Sequence, residues 1–339
     1  MSNPKVTFGF VNCNRLHYLK SCIESLLLST ADFESKELII VDNASVEPGT
    51  EEYLSSLEDR GFIVVRRESR DPANEFAQGL NTVCEMAQGE FVVPLQGDMQ
   101  FVLSSQWLHE YVRYAEAHPE LVGCITLDAQ RTVTNSSHKY AMDESYDADY
   151  QFVVDLDRDP VAGAADVFYP RAVLDAVYPW RVQNEKHEGG NDSETAMLQK
   201  VRELLKSGEL QWRSIMPIVP PAIAINTDPR GTNARIRGNR RYGQYWPPKE
   251  DNYRYYEVID FEYAVKTVEG RQHPVGIEEI VEPVGFPKFV DENGHWLKNP
   301  IRPDAALPGE YEELEPTLLS PLPEIVIAEG AELDEWLNS

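Results

Sequence analysis

The sequence predicts an α/β fold: a Rossmann-like, mostly parallel sheet flanked by helices, followed by a C-terminal extension. Three observations predict it. Five short apolar runs of strand length lie before residue 128. The segments between them place apolar residues at helical spacing. Turn and capping residues separate the two kinds of segment.

The elements follow in order. "KVTFGFV" (5–11) reads as a buried strand, and "NCNRLHYLKSCIESLLLS" as a helix with Leu16, Leu19, Ile23, Leu26 and Leu27 on one face. "ELIIVDNAS" (37–45) is a second apolar run that ends polar. "GTEEYLSSLEDRG" predicts a helix with Thr50 as N-cap and Gly61 as its stop. "FIVVRRE" (62–68) is a third strand, and "NEFAQGLNTVCEMAQG" a third helix, with Asn74 as cap and Gly89 past its end. "EFVVPLQGD" is the fourth strand, "SSQWLHEYVRYAEAHP" a helix and "LVGCITL" (121–127) the fifth strand. Trp107, Tyr111 and Tyr114 recur at helical spacing and predict core positions. Strands alternating with helices imply parallel pairing with right-handed crossovers.

Beyond residue 128 the pattern is looser. A polar stretch, "RTVTNSSHKYAMDESYDADYQ", reads as a long loop over a site. "ADVFYPRAVLDAVYPW" is strand then helix, and "NDSETAMLQKVRELLKSG" a helix with acids in its first turn. "IMPIVPPAIAIN" is apolar and broken by prolines. The expected organisation is 1–128, 129–245, and an acidic, Pro- and Tyr-rich extension from 246 to 339.

Composition narrows the function. The 339 residues are 42% hydrophobic and 26% charged, as in a globular protein, and carry a formal net charge of -26. Such a surface repels phosphate backbones and excludes free-standing nucleic-acid binding. Cys13, Cys22, Cys84 and Cys124 match no zinc or disulfide spacing, so reduced thiols are expected. No signal stretch and no apolar run long enough for a bilayer is present, which predicts a cytoplasmic protein without a transmembrane segment.

Motifs narrow it further. No Gly-x-Gly-x-x-Gly follows the first strand, and there is no phosphate-binding Gly-x-x-x-x-Gly-Lys and no Gly-x-Ser-x-Gly. In parallel sheets, ligands collect beyond the carboxyl ends of the strands. There the sequence places Asn12 and Asn14, Asp42 and Asn43, Arg70 and Asp71, and Asp98. Carboxylates and amides suit a nucleotide base and ribose, with a hard divalent cation beneath a diphosphate. Each also has a plainer reading. Asp98 can close a strand, Asp42 can form an Asx turn, Arg70 and Asp71 can be a surface ion pair, and Asn12 or Asn14 can cap a helix.

Four segments in order resemble the nucleotide-binding half of family-2-like inverting glycosyltransferases with the GT-A fold. Val11-Asn12-Cys13-Asn14-Arg15 stands where that family has a Pro-Thr-Tyr-Asn-Arg-like turn. Val41-Asp42-Asn43-Ala44-Ser45 matches its Val-Asp-Asn-x-Ser, and Asn74 to Asn81 fits its helix after the third strand. Gln96-Gly97-Asp98 stands at its metal-binding Asp-x-Asp, with Gln96 replacing the first acid. The resemblance implies a GT-A-like fold with a C-terminal extension. It also implies a nucleotide-sugar donor, expected to be a UDP-sugar, and a saccharide or other hydroxyl acceptor. Asn12, Asn14, Arg15, Asp42, Asn43, Arg70, Asp71, Asn74 and Gln96 would then face the donor, and Asp98 would hold Mn²⁺ or Mg²⁺. "HEGGNDSETAML" (187–198) resembles the segment that carries the catalytic base, which implies Asp192 as base with Glu194 as rival. First-turn acids are also favoured by the helix dipole alone.

In place of the family's His-bearing loop stands a basic island. Asp228 there is a candidate further metal ligand, and Arg230, Arg235, Arg237, Arg240 and Arg241 are candidate phosphate clamps. Trp180, Trp212 and Trp246 are candidates for stacking on a sugar. Two other functions remain open: a catalytically silent nucleotide-sugar-binding protein, and a nucleotidyltransferase.

Overall fold

The computed structural model describes residues 4–47, 49–71, 74–104, 106–127, 146–147, 152–155, 165–182, 193–207, 211–224, 258–271, 274–276, 280, 287–290 and 324–327. The first half alternates as expected: β1 (Val6–Asn12), α1 (Leu16–Ser29), β2 (Lys36–Asp42), α2 (Thr50–Asp59), β3 (Ile63–Arg66), α3 (Glu75–Met86) and β4 (Phe91–Leu95). β1 pairs in parallel with both β2 and β4, and β2 with β3. The remaining elements are β5 (Met99–Phe101), α4 (Gln106–Ala117), β6 (Val122–Thr126), β7 (Tyr146–Asp147), β8 (Phe152–Asp155), β9 (Val167–Pro170), α5 (Arg171–Val177), α6 (Ser193–Lys206), β10 (Arg213–Pro217), β11 (Ala222–Ala224), α7 (Phe261–Thr267), β12 (Pro287–Val290) and β13 (Glu324–Ile327).

A nine-stranded sheet runs β3-β2-β1-β4-β9-β6-β10-β8-β7. Only β9 and β8 oppose the common direction, because each pairs antiparallel with both of its neighbours. The 121–127 run does form a strand, but β6 does not lie beside β4. β9 separates them, pairing Val92 with Tyr169 and Ile125 with Phe168. β5 and β11 form a separate two-stranded ribbon.

Side-chain alternation builds a core on each face of the sheet. Val6, Phe8 and Phe10 of β1 and Ile40 of β2 pack into one core with Leu19, Ile23, Leu54, Leu57, Trp107, Tyr111 and Tyr114. Val11, Ile39 and Val41 face the other core, with Leu80, Val83, Val173, Leu174 and Trp180. α3 approaches β1 so closely that a Cβ at Gly9 would lie 2.0 Å from Val83 Cγ1, and one at Gly79 would lie 2.7 Å from Val11 Cγ1. Gly9→Ala is therefore expected to cost about 1–3 kcal/mol by overpacking. A urea melt reads this, and an unchanged midpoint would contradict the close packing of α3 on β1.

Local chemistry corrects three expectations. Thr50 is the first residue of α2, and Gly49 is its N-cap at φ 79°, a left-handed entry that a threonine adopts only at a cost. Asn74 does occupy the cap position of α3, but its side chain makes no capping bond. Trp180 is fully buried and locked by paired bonds to Asn81 at 2.8 Å each, so it is not a surface for a sugar. Trp107, Tyr111 and Tyr114 are buried as expected.

Part of the C-terminal region is integral to the domain. Ile259 bridges Leu103, with Ile259 N to Val102 O at 2.9 Å and Ser104 N to Ile259 O at 2.8 Å. Ala264, Val268 and Val275 complete the first core. Among the described residues no helix is long and apolar enough to cross a membrane.

Candidate functional site

The site forms where β1, β2 and β4 end together. Register places Asn12 opposite Asp42, and Asp42 opposite Arg66. Asp42 Oδ1 accepts from Asn12 Nδ2 at 2.8 Å and from Ser45 Oγ at 2.6 Å. Its Oδ2 accepts from Ser45 N at 2.9 Å, three residues on, one beyond the reach of an Asx turn, and ties down the loop after β2. Asp42 thus organises the loop after β2 through Ser45 rather than through an Asx turn, with its carboxylate at the edge of the sheet. Asn14 caps no helix. Its N donates to Ser45 Oγ at 2.9 Å, and its Oδ1 accepts from Val46 N at 2.7 Å and Glu47 N at 3.1 Å. These bonds stitch the β1–α1 turn to the loop after β2.

Glu47 is a buried acid that no sequence pattern singles out. Its Oε2 accepts from Leu16 N at 2.8 Å, satisfying the first amide of α1. Its Oε1 is buried without a hydrogen-bond partner. Burial pushes its pKa up to about 8, against the opposing pull of the Leu16 amide and Lys20. The sequence signal was one acid between the polar end of the second apolar run and Gly49 before α2, a position that reads as a loop until α1 is seen above it.

The tip of β4 carries Gln96, Gly97 and Asp98. Gly97 has φ 78°, a left-handed turn that glycine makes freely, and it swings Asp98 back toward α1. Asp98 is 5% exposed. Its Oδ2 accepts from Arg15 Nη2 at 3.0 Å, while its Oδ1 is buried with no hydrogen-bond partner. Gln96 N donates to Asp166 Oδ1 at 3.0 Å, and Asp166 N donates to Pro94 O at 2.7 Å. Asp166, buried and at φ 59°, thus clamps the turn from the start of β9. Its signal in the sequence was an acid placed directly before the apolar run of a strand.

Arg70 and Asp71 do not pair with each other. Arg70 Nε and Nη2 reach Glu75 at 3.0 and 2.5 Å. Asp71 Oδ2 accepts from Asn74 Nδ2 at 2.9 Å and from Gln78 Nε2 at 3.2 Å. Asn43 N donates to Asn12 O at 2.9 Å, its Nδ2 donates to Glu75 O at 3.4 Å, and its Oδ1 is buried without a partner.

The structure therefore brings Asn12, Asn14, Asp42 and Asn43 together through bonds to one another and to Ser45, while Arg15, next to Asn14 in the chain, bonds Asp98. Asp192, Asp228, Arg230 and Arg235 lie outside the described residues, as do Arg237, Arg240, Arg241 and Trp246. Glu194 lies in the first turn of α6, where its backbone alone is described. Among the described residues no three His, Cys, Asp or Glu side chains converge as a metal cage. The unpartnered Oδ1 of Asp98 nevertheless fits a hard cation held by one protein oxygen, with phosphates and water completing its shell.

Residues 9–174 match the family described as glycosyl transferase family 2. A curated relative, the uncharacterized protein y4gI of Sinorhizobium fredii (strain NBRC 101917 / NGR234), is 34% identical over 124 residues, which are 36% of this chain and 13% of that protein. Two solved structures are similar at low identity. S. aureus TarS 1-349, in complex with UDP-GlcNAc, is 15% identical with a TM-score of 0.43, over 58% of this chain and 53% of that one. The mannosyltransferase PcManGT from Pyrobaculum calidifontis, in complex with GDP-Man and Mn²⁺, is 19% identical with a TM-score of 0.48, over 71% and 62%. The chain thus spans a small part of the curated relative and between half and two thirds of the two solved chains.

Proposed function

From the premise that residues 9–174 are a glycosyl transferase family 2 domain, carried on a GT-A-like α/β sheet, we propose that this chain transfers a sugar, with inversion, from a nucleoside-diphosphate sugar to a hydroxyl acceptor. One observation carries the reading: a buried carboxylate, Asp98, sits at the tip of β4 with one oxygen unpartnered, on the edge that also holds Asp42. Hydrogen-bonded amides and carboxylates along β1 and β2 suit the polar edge of a base and ribose. A UDP-sugar is the expected donor.

In the proposed reaction the acceptor oxygen bonds to the anomeric carbon as the bond from that carbon to the diphosphate oxygen breaks. The electron pair leaves with the diphosphate, and the acceptor's proton passes to Asp192, with Glu194 as the other candidate. Mn²⁺ or Mg²⁺ bound at Asp98, with Asp228 as a further candidate ligand, would supply positive charge to the leaving group. Asp42, Asn12 and Asn14 hold the loops that frame the base and ribose, while Asn43, Arg70, Asp71, Asn74 and Gln96 line the donor side. Arg230 and Arg235 are proposed to clamp phosphate.

A thermal-shift screen of UDP- and GDP-sugars, with and without Mn²⁺, tests the proposal. A donor at a hundred times its Kd is expected to raise apparent stability by about 2.7 kcal/mol. Release of nucleoside diphosphate on adding a hydroxyl acceptor should follow. Pyrophosphate release would instead identify a nucleotidyltransferase. Gln96 in place of an acid favours one other reading, a silent nucleotide-sugar-binding protein, which would bind donors without turnover.

A further inference from the structure

At the tip of β4 a positive charge is already in place. Arg15 Nη2 lies 3.0 Å from Asp98 Oδ2, with side-chain exposures of 20% and 7%. The guanidinium lies over the Tyr18 ring, 4.8 Å from its centroid, which holds it against α1. Arg15 Nε is buried with no hydrogen-bond partner, and so is the neighbouring Asp98 Oδ1. Burial works against the charge on Arg15, but Asp98 foremost, then Tyr18 and Asp166, keep it protonated. An unmatched donor and an unmatched acceptor, buried side by side, are costly to a protein that uses neither. A phosphate oxygen would satisfy the donor, and a cation the acceptor.

Gln96 sharpens the point. A neutral amide stands where the resemblance places the first acid, so the cation site is one charge short while Arg15 adds a fixed positive charge beside it. Guanidinium presents its donors in a planar fork that matches phosphate oxygens, and it stays charged at every working pH.

We propose that Arg15 is a resident cation of the donor site, binding the nucleoside diphosphate directly beside Asp98, so that donor binding persists when divalent cations are removed. This rests on the glycosyltransferase reading. In transfer, the electron pair released by the breaking carbon–oxygen bond stays on the diphosphate, within reach of Arg15. The acceptor's proton goes to the base as before, and nothing is oxidised or reduced.

Calorimetry in EDTA tests it, with UDP and GDP as ligands and uridine and guanosine as controls. The unaltered protein is expected to bind one of the diphosphates. Arg15→Met should weaken that binding on the order of tenfold to a hundredfold, and Arg15→Lys less. Nucleoside binding should not change, whereas a purely structural role for Arg15 would weaken both. Arg15→Met leaves Asp98 without its counter-charge, so the double variant Arg15→Met/Asp98→Asn, which strands no charge, is expected to show the same loss in EDTA. Binding of the diphosphate with Mn²⁺ but not in EDTA would overturn the inference and leave the glycosyltransferase reading standing. Equal affinity in the Arg15→Met protein would do the same. Absence of binding to either diphosphate even with Mn²⁺ would overturn both.

Discussion

Asp98→Asn is expected to lower sugar transfer by on the order of a hundredfold or more, the scale seen when one group that stabilises developing charge is removed. The melting temperature should fall less than in Asp98→Ala, because the amide oxygen still accepts from Arg15 although the counter-charge is gone. The choice of asparagine matters. Asp98 accepts a bond from the buried Arg15 guanidinium at 3.0 Å. Asp98→Ala would leave that guanidinium without its partner, and breaking a buried pair from one side costs roughly 3–5 kcal/mol. Loss of activity in the alanine protein would then mix unfolding with chemistry. Asparagine keeps an oxygen for Arg15 and removes only the charge. Initial rates with saturating donor, measured beside a thermal melt, separate the two. Full activity of the Asp98→Asn protein would remove the cation and leaving-group role from this residue.

Glu47→Gln is expected to change how stability depends on pH. Burial lifts the Glu47 pKa from 4.5 to about 8 in the folded protein. Below about pH 4.5 the carboxyl is protonated in both folded and unfolded chains, and its contribution is fully present. As pH rises from there, the unfolded chain releases its proton while the folded chain keeps it until about 8. The unfolded state then binds fewer protons, so stability falls across this window and levels off above it. At about 1.4 kcal/mol for each tenfold difference in proton affinity between the folded and unfolded chains, the loss reaches several kcal/mol by the upper end. A glutamine does not titrate and can still accept from the Leu16 amide. The variant should therefore be the more stable protein at pH 8, and the two should converge near pH 4. Urea melts at several pH values read the difference. A constant difference from pH 4 to 9 would show that folding does not raise the Glu47 pKa.

The first four strands and α1 to α4 were legible because each is a local pattern. An apolar run of strand length, a helix with one apolar face and a turn residue between them are all visible within some twenty residues. The position of β6 was not legible. The strand that separates it from β4 comes from residues 167–170, and pairing between distant segments leaves no periodic mark on either one. β5 escaped recognition, since its three residues are too few to show a pattern. The strand-end residues Asn12, Asp42 and Asp98 were found from their positions alone. Their connections were not, because Arg15 and Asp98 stand 83 residues apart and meet only through the Gly97 turn. Glu47 and Asp166 escaped for a related reason. An acid in a loop and an acid at a strand's start read as solvent-facing until the element that covers each is in place.

The bridge between Ile259 and Leu103 bears on how this protein can be shortened. Composition invites a cut near residue 246, where the acidic, proline-rich stretch begins. Such a cut would discard Ala264, Val268 and Val275 and bare the apolar surface they cover beside α4. A trimmed version meant to stay monodisperse must retain the chain at least through Val275, whose amide is tied to Ile218 O at 2.8 Å.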